Sequence, residues 1–368
     1  MYIQSVSAFN FKNLREVNQE FSPRLNCLFG ENGSGKTNLL DALYYLSFCK
    51  SFLSTGDHDN ISHGEDYFLL QGKYRRLNSE ETVVCGCQRS QKKQFRRNDK
   101  IYKRLADHIG LLPLVIISPY DTDLIMGGSD ERRKFMDGVI SQYNPGYLDN
   151  LIRYNRALAQ RNFLLKKFAA EKKSDPELLS LWDTQLSDYT LKIHPEREAF
   201  VKKFVPLFQH YYTEISQGKE IVGLVHLSEL YENTPEQLLT DSVLKDLSVQ
   251  FTTSGIHKDD LALSLGGYPI KRQGSQGQKK TYLIALKLAE FEFIKEISEL
   301  KPILLLDDIF DKLDRTRVEQ IIRLVSREDF GQIFITDTNR EHLDGIIKSM
   351  DTESKIFNVC NGKILATE

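Results

Sequence analysis

Apolar positions change period along the chain, and the changes predict its organisation. Arg24–Phe29 is a short β run that leads into Gly30–Thr37, GENGSGKT. Beyond it Leu39, Leu40, Leu43 and Leu46 recur on one side of a predicted helix. Residues 67–104 alternate as strands do, and Leu114–Ile117 is an all-apolar run of the kind that forms a buried strand. The middle takes a helical period: Leu151, Tyr154, Leu158 and Leu165, then Trp182, Leu186, Tyr189 and Ile193. Pro195 is expected to break the second stripe, and Pro206 to kink or end a third through Phe200, Phe204, Leu207 and Tyr211. The polar segment Ala169–Pro176 reads as the turn of an antiparallel helix pair, without the heptads of a long coiled coil. Further on, Leu261, Leu263 and Leu265 alternate before a Gly266-Gly267 turn. Lys279–Leu300 predicts an amphipathic helix with Leu283, Leu286, Phe293, Ile297 and Leu300 inward. Ile303–Leu306 and Gln332–Thr336 are predicted strands.

Composition narrows the class. At 368 residues the chain has room for two or three lobes, and 40% hydrophobic with 27% charged residues suits a soluble globular protein. No apolar run approaches ~18 residues, so no membrane span is expected. The N-terminus shows no signal-peptide pattern. Cys27, Cys49, Cys85, Cys87 and Cys360 are odd in number and scattered, which predicts reduced thiols in the cytoplasm. The net charge of −2 hides local clustering. Arg89, Lys92, Lys93, Arg96, Arg97, Lys100, Lys103 and Arg104 face only Asp99 in the same stretch and, on the residues alone, read equally as a solvated face or as a candidate DNA surface. A second basic stretch holds Arg153, Arg156, Arg161, Lys166, Lys167, Lys172 and Lys173.

Three motifs carry the chemistry. Gly30, Glu31, Asn32, Gly33, Ser34, Gly35, Lys36 and Thr37 match a phosphate loop between a strand and a helix. Its glycines let backbone N–H groups converge on phosphate oxygens, Lys36 is placed to bridge the β- and γ-phosphates, and Thr37 to ligate Mg²⁺. The buried strand Ile303–Leu306 ends in Asp307, the expected Mg²⁺ carboxylate, and Asp308, the candidate to polarise the attacking water. Ser275-Gln276-Gly277-Gln278 opens the next long helix, and Ser275, Gly277 and Gln278 offer a second anion site. Since one subunit has no use for two γ-phosphate sites, that turn is expected to close on the ATP of a second subunit.

In this order the motifs resemble the ABC ATPases, with a D-loop at Asp311-Lys312-Leu313-Asp314. Several further segments resemble the RecF family of SMC-like DNA-repair ATPases across nearly the whole chain. They are Phe9-Asn10-Phe11-Lys12-Asn13-Leu14-Arg15, Ser118-Pro119 with Asp121, and Arg132-Arg133-Lys134-Phe135-Met136-Asp137. The others are Tyr154–Lys166 with Gln160-Arg161-Asn162, Leu181-Trp182-Asp183, and Gly255-Ile256-His257-Lys258-Asp259-Asp260-Leu261. The chain departs at Asp337, where transporter-type relatives carry His, at Asp311 for Ser, and at Ile256 for Pro.

The resemblance implies an α/β fold, an ABC-type P-loop ATPase head with a mixed sheet flanked by helices and an inserted mostly helical lobe. The expected divisions are 1–128, with the phosphate loop and basic strands; a helical lobe at 129–245; and 246–368, completing the head. It implies a slow ATPase that dimerises on ATP, binds single- and double-stranded DNA at gaps and their junctions, and with RecO and RecR helps RecA load, in the cytoplasm beside the nucleoid. Two other readings stay open on the residues: an ATP-switched clamp whose DNA contact is indirect, and a soluble transport ATPase that docks on membrane partners.

Overall fold

The computed structural model describes residues 1–172, 175–310, 313–350 and 352–366. Asp311 and Lys312 of the expected D-loop, and Lys173 of the second basic stretch, lie outside the described residues. The chain forms two compact units.

The first unit is Met1–Thr122, Tyr211–Lys219 and Ser275–Glu368. It begins with β1 (Tyr2–Phe11), β2 (Leu14–Glu20), β3 (Leu25–Phe29), α1 (Lys36–Phe48), β4 (Tyr67–Arg76), β5 (Ser79–Gln88), β6 (Gln94–Arg97), β7 (Lys100–Ile101) and β8 (Leu114–Ile117). The second unit, Asp123–His210 with Glu220–Gly274, contributes α2 (Asp123–Met126), α3 (Ser129–Tyr143), α4 (Pro145–Glu171) and, as far as His210, α5 (Pro176–Ser216). It continues with β9 (Val222–Leu227), α6 (Pro235–Val249), β10 (Asp260–Leu265), β11 (Tyr268–Pro269) and α7 (Ile270–Gln273). The chain then completes the first unit with α8 (Gln276–Ser298), β12 (Ile303–Asp307), α9 (Arg315–Val325), β13 (Ile333–Asp337), α10 (Arg340–Met350), β14 (Ser354–Cys360) and β15 (Lys363–Ala366).

Two sheets build the first unit. One has the order β15-β14-β3-β13-β12-β8 and is parallel from β14 to β8, with β15 antiparallel at its edge. β8, β12 and β13 are buried along their whole length, which their continuous apolar runs require. The other sheet, β2-β1-β4-β5-β6-β7, is antiparallel. Its strands alternate, so that Phe68, Leu70 and Tyr74 point inward and Tyr67, Leu69 and Lys73 outward. Helix α1 is held between the sheets: Leu39, Leu40, Leu43 and Leu46 share a core with Val6, Phe68 and Val83 of one sheet and Leu28, Ile116 and Leu305 of the other.

The second unit is helical with a small antiparallel sheet, β11-β10-β9. Gly266 and Gly267, with φ of 57° and 83°, make the hairpin turn that only residues tolerant of positive φ adopt readily. Tyr147 meets Arg197 on α5 and Arg161 meets Asp183, so partner numbers rise on one helix as they fall on the other. Helices α4 and α5 are therefore the antiparallel pair.

Three expectations are corrected. Pro195 does not break the helix, nor does Pro206 end it; both lie inside the 41-residue α5. Leu191 and Lys202, whose carbonyls each lose a partner, are exposed to water. The buried stripe Ile193, Phe200, Phe204 and Phe208 holds one register through both prolines. Helix α8 is not amphipathic: Thr281–Phe291 is buried on every side, Ile297 is 41% exposed, and Leu300 falls beyond the helix end. The lobe expected at 129–245 extends to Gly274, because β10 pairs with β9 and keeps residues 260–265 in that unit.

Candidate active site

The phosphate loop sits where β3 hands over to α1 at the C-terminal edge of the parallel sheet, the position where doubly wound sheets hold ligands. Gly30 must be glycine: a Cβ there would fall 2.2 Å from the Val359 carbonyl oxygen. Gly35, at φ 118°, opens α1 beside the Asn13 amide. Asn13 in turn donates to the Gly33 carbonyl at 3.3 Å and accepts from Asn38 at 2.7 Å, so the N-terminal FNFKNLR segment braces the loop. Glu31, Asn32 and Gly33 are exposed, while the Ser34 hydroxyl is buried with no hydrogen-bond partner.

Lys36 folds back over the loop, its Nζ donating to the carbonyls of Gly30 at 2.6 Å and Glu31 at 2.9 Å. Burial draws the ammonium below the usual lysine range, opposed by Asp308, Asp307 and Asp337. Thr37 Oγ1 lies 3.0 Å from Asp307 Oδ2, joining the phosphate loop to the end of β12. Burial raises the Asp307 carboxyl above its ordinary range, while hydrogen bonds from Thr336 and Thr37 pull the other way. Asp308, the next residue, is exposed and in the left-handed region at φ 50°. Its backbone N–H donates to Thr336 Oγ1 at 3.0 Å, and the same hydroxyl donates to Asp307 Oδ1 at 2.8 Å. Thr336 thus orients both carboxylate residues; its part is invisible in the sequence, because only strand pairing of β13 with β12 brings it there. Asp337 ends β13 and accepts from the Asn339 N–H.

The donor set suits a nucleotide with a hard cation. A hydroxyl and a carboxylate converge as Mg²⁺ ligands do, and the unpartnered Ser34 hydroxyl lies within a cradle a side chain at Gly30 would fill.

Ser275 caps α8 and is exposed. Its Oγ accepts from Gln278 N at 3.2 Å and Gln278 Oε1 accepts from Ser275 N at 2.8 Å, a capping box that the S-x-x-Q spacing alone signals. Arg317 of α9 reaches this turn, donating to Gly277 O at 3.1 Å and pairing with Asp314 at 3.2 Å. Sequence reading missed Arg317.

The basic run from Arg89 to Arg104 splits by strand pleat. Arg97 is bidentate to Glu81, and Lys93 turns inward onto Asp57 and the Cys49 carbonyl. Arg89 Nε donates to the Glu65 carbonyl, and Arg104 lies 3.9 Å from Asp107. Lys92, Arg96, Lys100 and Lys103 are exposed, with no carboxylate at ion-pair distance among the described residues. In the second stretch Arg161 is fully buried, so it belongs to no surface.

With this geometry in place, comparison with known proteins is decisive. Residues 2–364 match the family described as RecF/RecN/SMC N terminal domain. The DNA replication and repair protein RecF of Bacteroides fragilis is 52% identical over 365 residues, covering 99% of this chain and 98% of that protein. The chain belongs to the RecF family. A solved structure of "the recombination mediator protein RecF-ATPrS in RecFOR pathway" superposes with a TM-score of 0.89 at 31% identity, covering 100% of this chain and 98% of that one. A Pyrococcus furiosus Smc head domain matches at a TM-score of 0.59 and 16% identity over 100% and 96% of the two chains, a likeness of fold. The fold is therefore that of an SMC-like ABC ATPase head. No helix among the described residues is long and apolar enough to cross a membrane.

Several RecF-like segments turn out to be partners in the second unit's interior. Arg161 of QRN pairs with Asp183 of LWD and with Asp246. Asp137 of the RRKFMD segment and Asp259 of GIHKDDL share Arg197, and Arg132 pairs with Asp260.

Proposed function

We propose that this chain is an ATP-switched ATPase of recombinational DNA repair. Gly30–Thr37 cradles the triphosphate of ATP with backbone N–H groups and the Ser34 hydroxyl, Lys36 swings from its carbonyls onto phosphate oxygens, and Thr37 with Asp307 holds Mg²⁺. When bound, Mg²⁺ neutralises charge on the phosphate oxygens. Asp308 accepts a proton from the attacking water. Two heads close on two ATP molecules, each Ser275–Gln278 turn meeting the partner's nucleotide, and hydrolysis reopens the pair. Lys92, Arg96, Lys100 and Lys103 hold DNA through its phosphates. RecO and RecR are the proposed partners, and RecA loading at single-strand gaps is the proposed outcome; membership of the RecF family supports this reading.

The observation that carries the reading is the 3.0 Å approach of Thr37 to Asp307 beside a loop with an unpartnered buried hydroxyl. The solved RecF-ATPrS relative supports ATP as the ligand.

Light-scattering mass with Mg²⁺ tests the switch. A shift from 42.5 kDa to about 85 kDa only with ATP is expected. Ser275→Arg should bind ATP yet stay monomeric, because bulk and charge fall between the subunits; an ATP-induced dimer of that variant contradicts a shared site. Lys36→Ala should lose ATP-dependent closure and about 10²-fold or more of hydrolysis. Normal hydrolysis in that variant removes the phosphate-loop assignment.

A further inference from the structure

The outward face of the antiparallel sheet carries a feature that phosphate contacts do not explain. Phe9, Tyr67 and Leu69 are 39%, 47% and 40% exposed. They are neighbours: Phe9 pairs across strands with Leu69, and the rings of Phe9 and Tyr67 lie 5.8 Å apart at 32°. Gly86, opposite Leu69, contributes no side chain. The gap is a hollow of about 310 Å³, lined by Tyr67, Leu69, Gln88, Lys92, Gln94 and Arg96 among others. Charge is uneven around it. Lys92 and Arg96 stand on the β6 side with no carboxylate at ion-pair distance among the described residues, and Glu16 stands opposite Phe9 on the β2 side. The neighbouring Lys93 and Arg97 are neutralised inward, so the pleat has sorted the run into structural and solvent-facing cations.

We propose that this face binds single-stranded nucleic acid, stacking bases on Tyr67 and Phe9 while Lys92 and Arg96 hold the adjoining phosphates. The inference rests on the DNA reading above and narrows it to the unpaired strand. Exposed rings offer a π-face that every base accepts, whereas a duplex keeps its base faces hidden in its own stack. The amides of Gln88 and Gln94, at the rim, both donate and accept and so tolerate any base edge. An acidic protein surface would meet the two cations but gives no reason for paired exposed rings beside an open hollow.

The test uses the full chain, with fluorescence anisotropy of labelled oligo(dT) and of a blunt duplex at one salt concentration. Tyr67→Ala should weaken oligo(dT) binding about 5- to 150-fold and leave duplex affinity unchanged. Tyr67→Phe should retain wild-type affinity, which separates stacking from damage to the strand. Ultraviolet crosslinking of a 5-iodouracil oligonucleotide should map to Tyr67 or Phe9. If the wild-type chain binds neither DNA, the DNA reading falls and this proposal with it. If it binds duplex alone, or if Tyr67→Ala binds oligo(dT) as wild type does, only this proposal is overturned. Crosslinks confined to other segments, or a Tyr67→Ala effect on self-association alone, overturn it too.

Discussion

Asp308→Asn is expected to bind ATP, remain in the closed two-headed form and hydrolyse about 10²- to 10⁴-fold more slowly than wild type. The substitution is close to isosteric and the site tolerates it. Asp308 is exposed, so no desolvation balance changes. Its left-handed backbone at φ 50° is one that Asn adopts as readily as Asp. The hydrogen bond that fixes its position is donated by its own backbone N–H to Thr336, and so survives. What is lost is a carboxylate able to take a proton, a role no amide can fill. The neighbouring Asp307 keeps Thr37 and Thr336, so the proposed Mg²⁺ ligands stay in place. Single-turnover phosphate release, read beside light-scattering mass with ATP, separates chemistry from closure. Near-wild-type release would move the catalytic carboxylate elsewhere, and an open monomer with slow release would mean that Asp308 acts in closure.

How much of this was legible in the sequence depends on whether the signal was local. The phosphate loop, α1 and the buried strands β8, β12 and β13 follow from local runs of four to thirteen residues, read with their flanking residues. Their meeting at Thr37 and Asp307 was legible too, because apolar parallel strands place their carboxyl ends on one edge. The helix α5 was not: a proline signal is local, while the apolar stripe that carries the helix past Pro195 and Pro206 is a property of the packed unit. Nor was the all-round burial of α8, whose polar Thr281, Lys287 and Glu290 find partners inside the fold. The basic run was read as one surface although a strand's side chains alternate. Arg96 and Arg97 fall on opposite faces, and only the second meets Glu81. Thr336 and Arg317 act on residues that are their neighbours through sheet pairing or helix docking, and no spacing rule reaches that far.

The RecF-like QRN and LWD segments lead to a different kind of consequence. Arg161→Leu is expected to destabilise the second unit by about 3–5 kcal/mol. Arg161 is fully buried, with Nη1 2.5 Å from Asp246 and 2.9 Å from the Thr252 hydroxyl, and Nε 2.5 Å from Asp183. Asp246 is itself fully buried and also accepts from Ser242 and from the Thr253 N–H and hydroxyl. One guanidinium therefore ties α4 to α5, to α6 and to the segment that follows it. Leucine fills much of the volume but leaves the Asp246 carboxylate buried without its cation, which dominates the loss. Asp246→Leu in the Arg161→Leu background should recover part of the stability, since removing both charges also removes the desolvation penalty. The single tryptophan, Trp182, adjoins Asp183 and packs on the cluster of Leu164, Leu165, Phe168 and Leu179, so its fluorescence reports this unit during urea unfolding. An unchanged midpoint in Arg161→Leu would mean that the ion network contributes nothing beyond its volume. A double variant no more stable than the single one would assign the loss to packing rather than to the orphaned carboxylate.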